Sequence, residues 1–134
     1  MLSDTDILNE IGINIYIYPF QKSNLKGASY NLTASALGWD IKNKKTIYDE
    51  VTKKLIINPH STALIETNEV IWVSSKAAGT YHSKVALVSK GLTHISTTLD
   101  PEYIGASLIA VHNLSDNPIE LTPEVDTFTT LKLH

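Results

Sequence analysis

Residues 55–73 read LIINPHSTALIETNEVIWV, and this stretch decides the fold class. It contains three short apolar runs, Leu55–Ile57, Ala63–Ile65 and Val70–Val73. Asn58–His60 separates the first two and carries an Asn-Pro turn signal. Apolar runs this short between turn signals are typical of strands and too short for helices.

The rest of the chain repeats this pattern. Further strands are predicted at Thr80–Val88, Leu108–His112, Ile119–Leu121 and Phe128–Leu133, and Asn113–Pro118 is predicted to be a turn. Many short strands at roughly regular spacing are typical of a β-sandwich, a barrel or a jelly roll. We therefore predict one all-β domain that spans the whole sequence of 134 residues.

The N-terminal region carries the helix signal. Ser3 stands where a helix N-cap accepts a backbone N–H, and Asp6 stands where the acid of a capping box stands. Gly12 is predicted to end this short helix. Apolar and polar residues then alternate along Ile11–Ile17, which predicts a strand with one buried face. Another short strand is predicted at Ala28–Thr33.

Composition limits the classes of function. The chain has no cysteine and a formal net charge of −3 at pH 7. This acidic balance gives no basic field for nucleic acid, so we expect no nucleic-acid partner. Disulfides and thiolate chemistry are excluded. No apolar run approaches membrane-spanning length and no secretory signal is visible, so we expect a cytoplasmic protein without membrane contact.

Five motifs, in order, carry a resemblance to known proteins. Leu2–Ile7 (LSDTDI) resembles the LSDxDI start of dCTP deaminases, and Gly27–Leu32 (GASYNL) resembles their first conserved strand. His82–Ala86 (HSKVA) is similar to their RSSLA segment. Leu99–Gly105 (LDPEYIG) follows at the family interval and is similar to IDPGYxG. Asn113–Asp116 (NLSD) matches a turn of dUTPases. The chain thus resembles the superfamily of dCTP deaminases and trimeric dUTPases.

The resemblance implies more than the hydrophobic pattern does. It implies a distorted jelly roll or barrel with one short N-terminal helix, assembled as a homotrimer. It also implies sites between subunits for a pyrimidine deoxynucleoside triphosphate, dCTP or dUTP. Mg²⁺ is implied as the cofactor, carried on the nucleotide phosphates, and no protein-held metal site is expected.

Three residues of the Asp-Pro motif are site candidates by this resemblance. Asp100 would lie near the deoxyribose and the attacking water, where a buried carboxylate can accept a proton. Tyr103 would pack against the sugar and reject ribose, because a 2′-hydroxyl facing the ring finds no partner. Gly105 would let the backbone turn or approach closely. The alternatives are an ordinary Asp-Pro turn and a strand tyrosine packed on its sheet.

Three residues of the other motif are candidates for phosphate binding. Ser83 resembles a serine that binds phosphate at the subunit boundary, although an exposed strand serine is the alternative. Lys84 would add positive charge. His82 stands where the family carries arginine, and it would bind phosphate more weakly at neutral pH because it is mostly uncharged there.

Histidine and tryptophan residues outside the motifs have simpler interpretations. His94, His112 and His134 are scattered along the sequence without metal-ligand spacing, so structural or surface roles are expected. Trp39 and Trp72 lie in β-like runs, so core packing is expected.

The sequence also departs from the family pattern. Ala110 stands at the position of the glutamate that moves protons in deamination, and Leu87 and Asn31 stand where relatives carry arginine and aspartate. Pro123–Phe128 keeps little of the dUTPase segment PGDRIAQ, and the sequence ends at His134 without a glycine-rich arm. Two hypotheses follow: a diverged enzyme that depends on Asp100, or a non-catalytic member that binds a nucleotide or a protein partner.

Overall fold

The computed structural model describes residues 3–27, 29–95 and 97–134, so parts of the motifs at Leu2–Ile7 and Gly27–Leu32 lie outside it. Within the described residues the chain forms two short α-helices, one 3₁₀ turn and fifteen strands. The helices are α1 (Asp4–Glu10) and α2 (Val85–Val88), and the 3₁₀ turn is Lys22–Asn24. The strands are β1 (Ile15–Tyr18), β2 (Leu25–Lys26), β3 (Ser29–Asp40), β4 (Lys45–Thr46), β5 (Tyr48–Asp49), β6 (Lys54–Ile57), β7 (Thr62–Thr67), β8 (Val70–Val73), β9 (Gly79–Ser83), β10 (Leu92–His94), β11 (Thr98–Leu99), β12 (Ile104–Gly105), β13 (Leu108–Asn113), β14 (Ile119–Leu121) and β15 (Thr127–Leu133).

One long antiparallel sheet dominates the fold, in the order β10-β13-β7-β3-β15-β9-β11. Strand β3 bends this sheet, because its residues 29–33 pair with β15 whereas residues 34–40 pair with β7. Two smaller sheets, β1-β8-β12 and β14-β6-β5, complete the curled structure. The predicted all-β jelly roll with a short N-terminal helix is confirmed.

Alternating residues of the strands form the core. Fully buried side chains come from both halves of the long sheet and from the two smaller sheets, and the largest of them include Tyr30, Tyr81, Phe128, Ile15, Ile65 and Leu121. In β9 the burial alternates, so that Tyr81 faces the core while Thr80 and His82 face outward.

The predicted helix start is confirmed. The Ser3 hydroxyl accepts a hydrogen bond from the Asp6 backbone N–H, and the Asp6 carboxylate accepts one from the Ser3 N–H, both at 3.1 Å. None of the helices in the described ranges is long and apolar enough to span a membrane.

Two strand boundaries differ from the predictions. The strand predicted at Ile11–Ile17 begins only at Ile15, because Ile13 and Asn14 still donate backbone hydrogen bonds to Glu10 and Gly12 has a φ of +84°. The strand predicted at Thr80–Val88 is wrong beyond Ser83.

The strand predicted at Thr80–Val88 ends early because its pairing with a partner strand ends. Pairing of β9 with β15 ends at Ser83, and the following residues instead donate hydrogen bonds to the Lys84 carbonyl and form α2. The prediction of core packing is also wrong for Trp39, which is 37% exposed on the outer face of the long sheet.

Candidate functional site

The Asp100–Gly105 segment forms a tight turn at the end of β11. The Tyr103 backbone N–H donates to the Asp100 carbonyl at 3.2 Å, with Pro101 at the second position of the turn. Glu102, at the third position, has a φ of +69°. Such a turn favours glycine at that position, and the motif IDPGYxG has glycine there. The turn therefore keeps its shape although glutamate has replaced glycine.

Asp100 and Tyr103 line one depression of about 190 Å³, together with Tyr81, Thr97, Thr98, Leu99, Ser107 and Leu108. The Asp100 carboxylate is exposed in the single chain and accepts a hydrogen bond from the Thr98 hydroxyl at 3.3 Å. The Tyr103 hydroxyl donates to the Ala106 carbonyl at 2.6 Å, which fixes the ring. Both residues are thus available to a ligand in this depression.

Gly105 supports the position of the Tyr103 ring. Its φ is +139°, and a Cβ there would lie 3.3 Å from the Tyr103 hydroxyl oxygen. This backbone conformation favours glycine, and the role of Gly105 at a ligand site stays a prediction. Gly105 itself does not line the depression.

Buried hydroxyls that the sequence did not reveal form the base of this depression. The hydroxyls of Tyr81 and Ser107 are hydrogen-bonded to each other, and burial raises the pKa of Tyr81 to about 12. The Ser107 N–H donates to the Thr67 hydroxyl at 2.9 Å, which in turn donates to the Glu69 carbonyl at 3.0 Å. Strand alternation predicts a buried Tyr81, but it cannot predict a partner 26 residues away.

A second depression of about 370 Å³ lies at the other end of β9. It is lined by the three candidates of the HSKVA motif and their neighbours: His82, Ser83, Lys84, Val85, Ala86, Thr130 and Lys132. Register explains the contribution of β15, because Thr130 pairs with His82 and Lys132 pairs with Thr80. We call this the His82 depression.

Ser83 and Lys84 have constrained surroundings there. The Ser83 hydroxyl oxygen accepts a hydrogen bond from the His94 backbone N–H at 3.2 Å, and it lies 3.4 Å from the Thr93 hydroxyl. Burial lowers the pKa of Lys84, and the charge of Lys26 lowers it further. Ser83 therefore also ties β10 to β9, a structural role that adds to the predicted one.

The histidines are less scattered than the sequence suggests. The Nε2 atoms of His82 and His134 lie 2.8 Å and 3.4 Å from the Thr80 hydroxyl, and His94 Nε2 lies 3.3 Å from the Thr129 hydroxyl. His94 and His134 thus flank His82, whereas His112 bonds to Thr62 on another face. The described part of the chain contains no group of three His, Cys, Asp or Glu side chains placed to hold a metal.

One chain does not bring all six candidates together. Asp100 and Tyr103 lie near the start of β9, where Gly79 pairs with Leu99, whereas Ser83 lies at its end. The two depressions share no lining residue.

The curled sheet and the two depressions define a class, the dUTPase-like jelly rolls. The chain belongs to the dCTP deaminase-like family, whose sequence model matches residues 1–127. The dCTP deaminase of Pyrococcus furiosus is 30% identical over 121 residues, which cover 90% of this chain and 74% of that protein.

Solved structures show the same fold. The dCTP deaminase of Agrobacterium tumefaciens superposes with a TM-score of 0.77 at 9% identity over 98% of this chain. This chain spans 46% of that protein's length. A mutant dUTPase from phage phi11 of S. aureus superposes with a TM-score of 0.61 at 14% identity, over 90% of this chain and 89% of that one, and its structure shows a structural Mg(II) ion.

The strained turn at Glu102 gives a stability prediction. A similar turn lies at Thr122–Val125, where Glu124 follows Pro123 and has a φ of +67°. The left-handed conformation costs about 1–2 kcal/mol for a non-glycine residue. Glycine avoids this cost, but it stabilises the unfolded chain by about 0.5–1 kcal/mol through its greater conformational freedom. We expect the double variant Glu102→Gly/Glu124→Gly to be more stable by about 1 kcal/mol in urea unfolding.

A glycine substitution elsewhere provides the control. Glu120→Gly changes an exposed residue within β14 and is expected to lose about 0.5–1 kcal/mol. A double variant that is destabilised as much as Glu120→Gly would contradict the turn geometry.

Proposed function

We propose that this protein binds a pyrimidine deoxynucleoside triphosphate, dCTP or dUTP, in a cleft between the subunits of a homotrimer. The observation that carries the proposal is the pairing of two complementary depressions on one chain. One offers a carboxylate and a ring, Asp100 and Tyr103, for a sugar and base. The other offers Ser83, Lys84 and His82 for phosphates.

The separation of the two depressions supports a site made by two subunits. They lie at opposite ends of β9, so a single ligand could be held where the Asp100 depression of one chain meets the His82 depression of another. A head-to-tail contact of this kind closes into a ring when its rotation fits, and a trimer is such a ring.

Exposed apolar residues also favour assembly. Trp39, Leu64 and Ala110 lie side by side on the outer face of the long sheet, and Leu108, which lines the Asp100 depression, is 51% exposed beside them. Outer faces of antiparallel sheets that meet water are usually polar. This apolar face is therefore suited to contact with a neighbouring subunit.

The residues predict a preference for deoxyribose. Tyr103 is 39% exposed and donates its hydroxyl proton to the Ala106 carbonyl, so a ribose hydroxyl packed against the carbon atoms of the ring finds no partner there. A desolvated 2′-hydroxyl without a partner costs about 1–3 kcal/mol.

Mg²⁺ is proposed to arrive on the phosphates. The described side chains do not provide a donor set for a metal held by protein alone, but Lys84 and the Ser83 hydroxyl suit the oxygens of a metal-bound triphosphate. The bound ion would neutralise phosphate charge that this acidic chain cannot neutralise alone.

Catalysis is the less supported part of the family's activity. Asp100 is the carboxylate available to accept a proton from water in the proposed cleft. Ala110, at the position of the family glutamate, cannot transfer a proton. We expect deamination to be very slow and nucleotide binding to be the retained property.

A thermal-shift assay tests the proposal. We expect dCTP or dUTP with Mg²⁺ to raise the melting temperature, with up to about 2.7 kcal/mol of stabilisation at a ligand concentration 100 times the Kd. CTP and UTP should shift it much less. Ammonia, dUMP and pyrophosphate are measured in parallel, and sedimentation reports the assembly.

Variants make the assay specific. Asp100→Ala should weaken the deoxynucleotide about tenfold, which corresponds to about 1.4 kcal/mol, and should remove any turnover. Asp116→Ala changes another exposed aspartate, in the NLSD turn, and should bind as the parent does. Turnover by the parent protein that is lost in Asp100→Ala would support a diverged enzyme over a protein that only binds the nucleotide.

The second candidate is a non-catalytic assembly or protein-interaction role. The apolar face around Trp39 and Leu108 favours it, because such a face fits a protein as well as a subunit. A trimer that neither gains stability from any deoxynucleotide nor turns one over would support this role.

A further inference from the structure

Positive groups gather around the His82 depression although the chain as a whole is acidic. Lys132 lies on the strand beside His82, and Lys84 follows it in the sequence. His94 from β10 and His134 at the end of β15 complete the group. Among the described residues, none of the charges found to shift the pKa of His82 is a carboxylate.

Burial and these neighbours disfavour a proton on His82. Burial lowers the pKa of His82 below its usual value of 6.5, and the charges of Lys132, His94 and His134 lower it further. His82 is nevertheless partly exposed, and its Nε2 atom lies 2.8 Å from the Thr80 hydroxyl. A proton on His82 is therefore opposed first by burial and then by positive charge, and a bound anion can offset the second of these.

We propose that anion binding in the His82 depression is coupled to protonation of His82, so that the site binds phosphate groups tightly in mildly acidic solution and weakly in alkaline solution. The inference rests on the proposed function, because it regulates the phosphate half of the same cleft. It depends on the histidine at position 82, where the motif RSSLA has a permanently charged arginine.

The coupling follows from the geometry. Without a ligand, a proton on His82 is opposed by burial and by like charge from Lys132 and its histidine neighbours. A bound anion beside Ser83 and Lys84 reverses the sign of this field, so it favours the protonated ring. By reciprocity, the proton strengthens anion binding by the same factor.

Sulfate is the probe for this test, because it does not change its own protonation between about pH 5.5 and pH 8. The Cε1–H resonances of the five histidines are followed by NMR across this range with and without sulfate. We expect the titration midpoint of His82 to rise by about one pH unit in saturating sulfate, and sulfate affinity to be about tenfold higher at the acidic end.

Substitutions assign the effect to one ring. His82→Gln should bind sulfate weakly at both ends of the pH range, and His82→Arg should bind it tightly at both. His112→Gln is the matched control, because His112 is hydrogen-bonded to Thr62 away from the site, and it should behave as the parent protein.

The outcomes separate this inference from the proposed function. Sulfate affinity that does not change with pH, or that keeps its full change in His82→Gln, overturns the coupling, even when dCTP or dUTP still stabilises the protein. A deoxynucleotide that stabilises neither the parent nor His82→Arg refutes the proposed function. The sulfate titration then still decides the coupling.

Discussion

Replacing Glu69 by alanine is expected to lower the free energy of unfolding by about 3 kcal/mol. The Glu69 side chain is 2% exposed, and its carboxylate accepts two hydrogen bonds from Thr33, from the backbone N–H at 3.0 Å and from the hydroxyl at 2.8 Å. Alanine leaves both buried donors without a partner and adds a cavity. Urea unfolding followed by circular dichroism measures the loss.

The amide variant is the control for this prediction. In Glu69→Gln the amide oxygen can accept from the Thr33 N–H, and the amide nitrogen can donate to the Thr33 hydroxyl oxygen. We expect it to stay within about 1 kcal/mol of the parent near neutral pH. Similar losses in both variants would show that the hydrogen bonds are not the cause.

Glu69 also makes stability depend on pH. Burial raises the pKa of the Glu69 carboxyl above its usual value of 4.5, and the hydrogen bonds from Thr33 only partly oppose this. The folded protein therefore holds this proton more tightly than the unfolded chain. The contribution of Glu69 to stability is present below pH 4.5 and is lost as pH rises through the folded pKa. Glu69→Gln should lack this decline.

The short-range pattern of apolar and turn residues predicted most of the strands. Alternation and turn residues predicted the strands at 55–57, 63–65, 70–73 and 108–112, because each is set by its own residues. The strand predictions fail where pairing with a strand distant in sequence decides the end of the strand. Val85–Val88 is as apolar as a strand, but β15 pairs with β9 no further than Ser83.

The sequence predicted individual residues of the site but not their arrangement. The motifs led to Asp100, Tyr103, Ser83 and His82, but no local pattern shows that they occupy opposite ends of β9. Lys132 was missed because its role depends on register, which places it opposite Thr80. Register is a long-range property of the sheet that a single strand does not specify.

Gly79→Ala is expected to lower the free energy of unfolding by about 3 kcal/mol. A Cβ at Gly79 would lie 2.8 Å from a methyl carbon of the fully buried Leu131 and 2.9 Å from the Lys132 carbonyl oxygen. The carbonyl belongs to the β15 backbone, so β9 and β15 must move apart. The control is Gly38→Ala, because the nearest atoms to its Cβ would be side-chain carbons, first of Ile47 at 3.0 Å, and not backbone atoms.

The position of Gly79 makes this also a test of the two-part site. Gly79 pairs with Leu99 on one side and Leu133 on the other, so it lies between the strand that leads to Asp100 and the strand that carries Lys132. We expect folded Gly79→Ala protein to bind sulfate and deoxynucleotide more weakly, whereas Gly38→Ala should bind both as the parent does. Unchanged binding in Gly79→Ala would mean that the register between β9 and β15 does not position the proposed cleft.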